Sequence, residues 1–122
     1  MDKAQAIHQF WSGFGLTAYD ENTVDENADF PYITYSVSTG SIDDFILLTA
    51  SLWYRSTSWE EITKKADEIA QAITNMSPPA IKIDGGRAYF TKGTPFSQRT
   101  SEESDDSVRR IYLNVYVEFL TN

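Results

Sequence analysis

An α+β fold, with a mainly antiparallel sheet of about four to five strands packed by two helices, is the class this chain predicts. Apolar residues recur every third or fourth position over residues 59–76, as one buried helix face requires. They alternate strictly over residues 108–120, as a strand with two unlike faces requires. The period switches from one form to the other near Ser58, so strand and helix follow each other directly. No Gly/Ser-rich or Pro-rich linker divides the 122 residues, and residues 1–122 are therefore expected to share a single core.

The first element is a short amphipathic helix over residues 2–14, with Ala4, Ile7, Trp11 and Phe14 on one face and Phe10 beside them. Gly13 or Gly15 suits its C-terminal end. A polar loop through Asn27 leads to a strand over residues 30–38, where Ile33, Tyr35 and Val37 alternate with Tyr32, Thr34 and Ser36. A turn at residues 40–44 then returns the chain as an antiparallel partner over residues 45–54.

Ser58-Trp59-Glu60-Glu61 has the form of a capping box, in which the Ser58 hydroxyl and the Glu61 carboxylate satisfy each other's backbone amides. The helix it opens carries Trp59, Ile62, Ala66, Ile69, Ile73 and Met76 on one stripe, and Ser77-Pro78-Pro79 stops it. Its outer side pairs Glu60 with Lys64 and Glu61 with Lys65. Ile69 is thus expected to be essential to folding and Lys65 nearly dispensable.

Residues 80–83 and 87–92 flank Asp84-Gly85-Gly86, whose glycines suit a tight hairpin turn. The final strand, over residues 108–120, places Ile111, Leu113, Val115, Val117 and Phe119 on a core face. Arg110, Tyr112, Asn114, Tyr116 and Glu118 line the other. The strand far exceeds the usual length of about five or six residues. Part of it is expected to pass beyond the domain and present the tyrosine-rich face to another subunit.

Eighteen acidic residues against ten basic ones give a net charge of −8 and a pI near 4.4, which argues against a protein that grips phosphate backbones. The acids concentrate in residues 20–29 and 102–106, which predicts solvated, mobile loops near 20–29 and 98–107. Arg99, Arg109 and Arg110 flank the second loop and are placed to dock its carboxylates, within the chain or across a subunit boundary. With no cysteine there is neither a disulfide framework nor a thiolate zinc site. No apolar run is long enough to span a bilayer, and the N-terminus lacks a signal-peptide pattern, so a soluble, cytosol-made protein without a membrane partner is expected.

Catalytic patterns fail on their own chemistry. Gly13-Phe14-Gly15-Leu16-Thr17-Ala18 matches a dinucleotide fingerprint, but a helix precedes it where a strand is needed. His8 is the only histidine and sits on a helix surface with no nucleophile cued beside it. Glu102, Glu103, Asp105 and Asp106 lack the alternating ligands and central glycine of a calcium loop. The expectation is a non-enzyme with no catalytic, cofactor or metal residues.

Three runs carry a family resemblance: Trp53-Tyr54-Arg55-Ser56-Thr57-Ser58-Trp59, Lys92-Gly93-Thr94-Pro95-Phe96-Ser97-Gln98-Arg99, and Asp105-Asp106-Ser107-Val108-Arg109-Arg110-Ile111-Tyr112-Leu113-Asn114. With Phe30-Pro31-Tyr32-Ile33-Thr34-Tyr35, they resemble the tail-completion or tail-terminator proteins of long-tailed bacteriophages and prophages. The resemblance implies a small structural α+β protein that forms a homo-oligomeric ring, typically a hexamer, on the tail-tube protein. Such a ring ends tube growth, meets the head connector or stopper protein, and lets DNA pass without gripping it. The setting implied is the virion neck, assembled in the bacterial host cytoplasm. Arg99, Arg110, Tyr112, Asn114, Tyr116 and Glu118 are the expected interface residues. A head-closure (stopper) protein is the neighbouring alternative. A small hydrolase or ligand-binding domain is the alternative of another class, and it would need a pocket with convergent polar groups.

Overall fold

The computed structural model describes residues 1–39, 45–75, 80–100 and 105–121. Its elements, in chain order, are α1 (Lys3–Ser12), β1 (Thr17–Asp20), β2 (Tyr32–Tyr35), β3 (Phe45–Arg55), α2 (Glu60–Thr74), β4 (Ile81–Ile83), β5 (Gly86–Thr100) and β6 (Val108–Thr121). The α+β class holds, but the sheet has six strands in the order β1-β2-β3-β6-β5-β4 and is mixed, because β1 runs parallel to β2. The remaining pairs are antiparallel. β1 lies where a loop was expected. Only Ala18 of its four residues is buried, so it leaves no periodic trace and forms through its pairing with β2.

Both helices cover the same sheet face. Register sets Leu48 opposite Val115, Ala50 opposite Leu113 and Leu52 opposite Ile111, all buried in one cluster with Ile62, Ala66, Ile69 and Ile73 of α2 and Ala6, Ile7, Phe10 and Trp11 of α1. Each large aliphatic side chain taken from water there contributes about 1.5–3 kcal/mol before its ordering cost. α1 touches both edge strands, β1 and β4, so the sheet curls about it. Its helical face is rotated from the expected one: Ala6 is buried and Ala4 exposed. Met1 ties this end down, its amino group 3.0 Å from the Asp84 carboxylate and its carbonyl accepting from the Asp84 amide at 2.8 Å.

Gly13 caps the C-terminal end of α1 as expected, whereas the start of α2 departs from expectation. α1 carries the closed capping box, with Asp2 accepting from the Gln5 amide at 2.8 Å and the Gln5 side chain accepting from the Asp2 amide at 2.9 Å. α2 begins at Glu60 with Trp59 as its N-cap residue, and the Ser58–Glu61 box does not close. Instead the Ser58 hydroxyl accepts from the Glu60 amide at 3.1 Å, while Ser56 accepts from Ser58. Two successive serine-capped turns leave the strand. The expected stop at Met76 and Ser77-Pro78-Pro79 lies outside the described residues, as does the expected turn at 40–44.

The outer side of α2 is only partly as expected. Lys64 lies 3.4 Å from Glu60, both side chains mostly exposed. Lys65 turns away from Glu61: its ammonium donates to Glu68 at 2.7 Å and to the Phe14 carbonyl at 2.9 Å, and its side chain is only 20% exposed. That contact joins α2 to the segment leaving α1. Lys65→Ala should therefore cost about 1 kcal/mol, seen as a melting temperature lower by roughly 4 °C. Lys64→Ala should stay within about 0.5 kcal/mol of the parent. Equal melts for the two variants would remove the Phe14 contact from the stability of the domain.

β5 and β6 run far beyond the expected hairpin. Gly85, at φ +80°, makes the turn after β4, and β5 then pairs along nearly all of β6. Register jumps between Lys92 and Ser97, so Gly93 to Phe96 stand against Asn114 alone, a large bulge within the strand. Gln98, Arg99 and Thr100 continue the ladder and are strand, not the loop expected at 98–107. β6 does not project beyond the domain. β3 flanks it on one side and β5 on the other, which accounts for its length.

Candidate subunit interface

Among the described residues no helix covers the second face of the sheet, and strand alternation decides what stands on it. In β6 the odd-numbered side chains from Ile111 to Phe119 are buried, so Arg110, Tyr112, Asn114, Tyr116 and Glu118 point to the open side and are half-buried by their strand neighbours. These five expected interface residues do share one face. Arg99 does not join them. It pairs with Ile111 in the ladder and lies on the helical side, its guanidinium 4.8 Å above the Trp59 ring.

β1, β2 and β3 supply the rest of the face. Register aligns Tyr32, Trp53 and Arg110 in a row across three strands. The Tyr32 and Trp53 rings stack at 6.2 Å, Tyr19 meets Tyr32 edge-on at 5.8 Å, and Arg110 lies 4.6 Å over Trp53 and 5.1 Å over Tyr112. Trp53 donates its indole N–H to the Thr34 hydroxyl at 2.9 Å, and Arg110 Nε donates to the Ser51 hydroxyl at 3.0 Å. Burial, then the neighbouring Tyr19 phenol, raises the pKa of the Tyr32 hydroxyl, with Arg55 pulling it down. Tyr32 is therefore neutral at physiological pH. The other end of the face is apolar. Phe45 is 58% exposed and stacks on Tyr116 at 4.8 Å, and Leu47, opposite Tyr116 in the ladder, is 47% exposed.

Not every polar group on this face is available to a partner. Asn114 donates to the Pro95 carbonyl at 2.9 Å and so holds the bulge of β5. The residues of this face missed in the sequence are Tyr19, Tyr32, Phe45, Leu47 and Trp53. Phe45, Leu47 and Trp53 sit at odd positions of β3, a period that its continuous apolar composition conceals. Tyr19 depended on recognising β1.

Residues from the three runs 53–59, 92–99 and 105–114 meet around Trp59. Arg109 lies 5.3 Å over Trp59, on which Arg99 also lies, and donates to the Thr57 carbonyl at 2.8 Å and to the Asp106 carbonyl at 2.8 Å. The Ser56 amide donates to the Ser107 carbonyl at 2.7 Å. Among the described residues, the Asp105 carboxylate of this loop faces Arg55 at 3.7 Å. Hydrogen bonds from Ser107 hold the Asp105 carboxyl below its ordinary pKa.

Other candidate chemistry is placed plainly. His8 is exposed, with Nδ1 2.7 Å from the Tyr35 hydroxyl and Nε2 3.3 Å from Ser12 Oγ. Glu102 and Glu103 lie outside the described residues. Among the described residues no group of three His, Asp or Glu side chains is arranged to hold a metal ion, and no helix is long and apolar enough to cross a membrane. A comparison with models of known protein families finds no match, and neither does a comparison with curated protein sequences.

Proposed function

We propose that this chain is a tail terminator of a long-tailed bacteriophage or prophage: a ring-forming subunit that caps the tail tube and joins it to the head connector. The observation that carries the reading is the uncovered face of the two central strands, β3 and β6, with Phe45 and Leu47 exposed beside Tyr116. A monomer gains nothing from apolar side chains held on an open sheet, whereas a subunit buries them against its neighbour or the tube. Residues of the segments that resemble the family also pack on one another around Trp59, as parts of one joint would. The acidic balance of the chain suits a channel that DNA traverses without being held. A ring larger than a dimer needs a head-to-tail contact, so one lesion is repeated at every joint.

Tyr116→Asp is the lesion to test, because Tyr112 is engaged by Arg110 and Asn114 by the bulge, while Tyr116 sits with the exposed apolar pair. The expected product is a folded chain that no longer caps tubes, since an unpaired carboxylate in a desolvated contact is costly. Tail-tube protein polymerised with the wild-type chain should give tubes of fixed length bearing a ring at one end by electron microscopy. Tubes that grow equally long with and without the wild-type chain would defeat the terminator reading and favour a stopper on the head side.

A further inference from the structure

A recess lies on the helical side of the sheet, away from the open face. Ala28, Asp29, Phe30 and Pro31, before β2, form one wall; Tyr54 and Arg55, ending β3, form the floor; Glu61, in the first turn of α2, closes it. Its volume is about 440 Å³, within the range of small-ligand sites. Tyr54 is only 8% exposed, and its hydroxyl has no hydrogen-bond partner among the described residues. The hydroxyl is the part of this otherwise buried side chain that lines the recess.

The charges around this hydroxyl are of one sign. Burial, then the carboxylates of Glu61 and Glu68, push the Tyr54 pKa up, so the phenol stays neutral and its oxygen keeps a lone pair for a donor. Neither Asp29 nor Glu61 forms an ion pair among the described residues. Arg55, the cation in the lining, is turned outward: it lies over the Phe30 ring at 4.6 Å, donates to Ser107 Oγ at 3.2 Å and faces Asp105 at 3.7 Å. The recess therefore offers an incoming donor two exposed carboxylates without an ion-pair partner among the described residues, and a phenol hydroxyl on a buried side chain.

We infer that this recess is a socket for a guanidinium group, the side chain of an arginine presented by a partner protein. A guanidinium carries five N–H donors in a planar fork, enough to meet two carboxylates and a phenol oxygen together, whereas an ammonium offers three donors from a point. The inference rests on the recess alone and stands apart from the terminator reading.

The test is a titration of the isotopically labelled full chain with Nα-acetyl-arginine amide, followed by NMR, with the lysine and glutamine amides as comparisons. Shift changes should be confined to Asp29, Tyr54, Arg55 and Glu61 and their neighbours, with arginine binding more tightly than lysine and glutamine not at all. Glu61→Gln should weaken binding about tenfold, and Tyr54→Phe should weaken it by a smaller factor. Both variants must keep the parent spectrum elsewhere. An arginine-containing peptide should bind more tightly than the free amide if the partner is a polypeptide, and equal affinity would assign the socket to a free organic cation. Shifts scattered over the whole acidic surface, arginine binding unchanged by Glu61→Gln, or no binding at all would each overturn the proposal.

Discussion

Ile69→Asp should leave no cooperative melt. Ile69 is fully buried in α2, within a cluster that contains Ile62, Ala66 and Ile73 of the same helix and the core faces of β3 and β6. Truncating such a side chain alone costs about 2–5 kcal/mol. The introduced carboxylate adds a desolvation penalty that nothing in an aliphatic surround offsets, and together these consume most of a stability of roughly 5–15 kcal/mol. Differential scanning calorimetry beside the parent decides it, with Lys64→Ala as the control on the same helix. A parent-like transition for Ile69→Asp would mean that α2 is not seated on the sheet through this stripe.

Gly93→Ala should destabilise the domain by about 1–3 kcal/mol although it adds a single methyl group. A Cβ at position 93 would stand 2.8 Å from Asn114 Cβ, 2.9 Å from the Asn114 carbonyl oxygen and 3.0 Å from its carbonyl carbon. Two of these atoms are backbone of β6, which is bonded on both sides and has little freedom to yield. The strain must instead move the bulge, where Asn114 holds the Pro95 carbonyl. Denaturant unfolding with amide exchange on β5 and β6 reads the loss and its location. Thr94→Ala, an exposed neighbour, should change stability by less than about 0.5 kcal/mol. If Gly93→Ala unfolds at the parent midpoint, the close approach of these strands is not maintained in solution.

Where one residue's neighbours along the chain carried the signal, the sequence was enough. The alternation of β6 names its five buried side chains and its five open ones without error, and the spacing of Ile62, Ala66, Ile69 and Ile73 names the buried face of α2. Both periods are properties of the local backbone and need no knowledge of what covers the face. The antiparallel return of β3 on β2 and the glycine turn before β5 were legible for the same reason.

What tertiary structure alone decided involves partners distant in the chain. β1 exists because β2 pairs with it, and its four residues have no period to detect. The length of β6 read as an overhang until β3 and β5 were seen to pair along it. Lys65 chose Glu68 and a carbonyl of the preceding helix's exit over Glu61, because half-burial favours a contact that also satisfies an orphan backbone oxygen. Arg99 fell on the helical side because the bulge at residues 93–96 resets the alternation of β5 before it. The open aromatic row of Tyr32, Trp53 and Arg110 comes from three strands brought into register, and the Tyr54 recess from three segments meeting at one end of the sheet. Local periodicity states which way a side chain points from its own backbone; which chain segment it meets there depends on the packing of the whole.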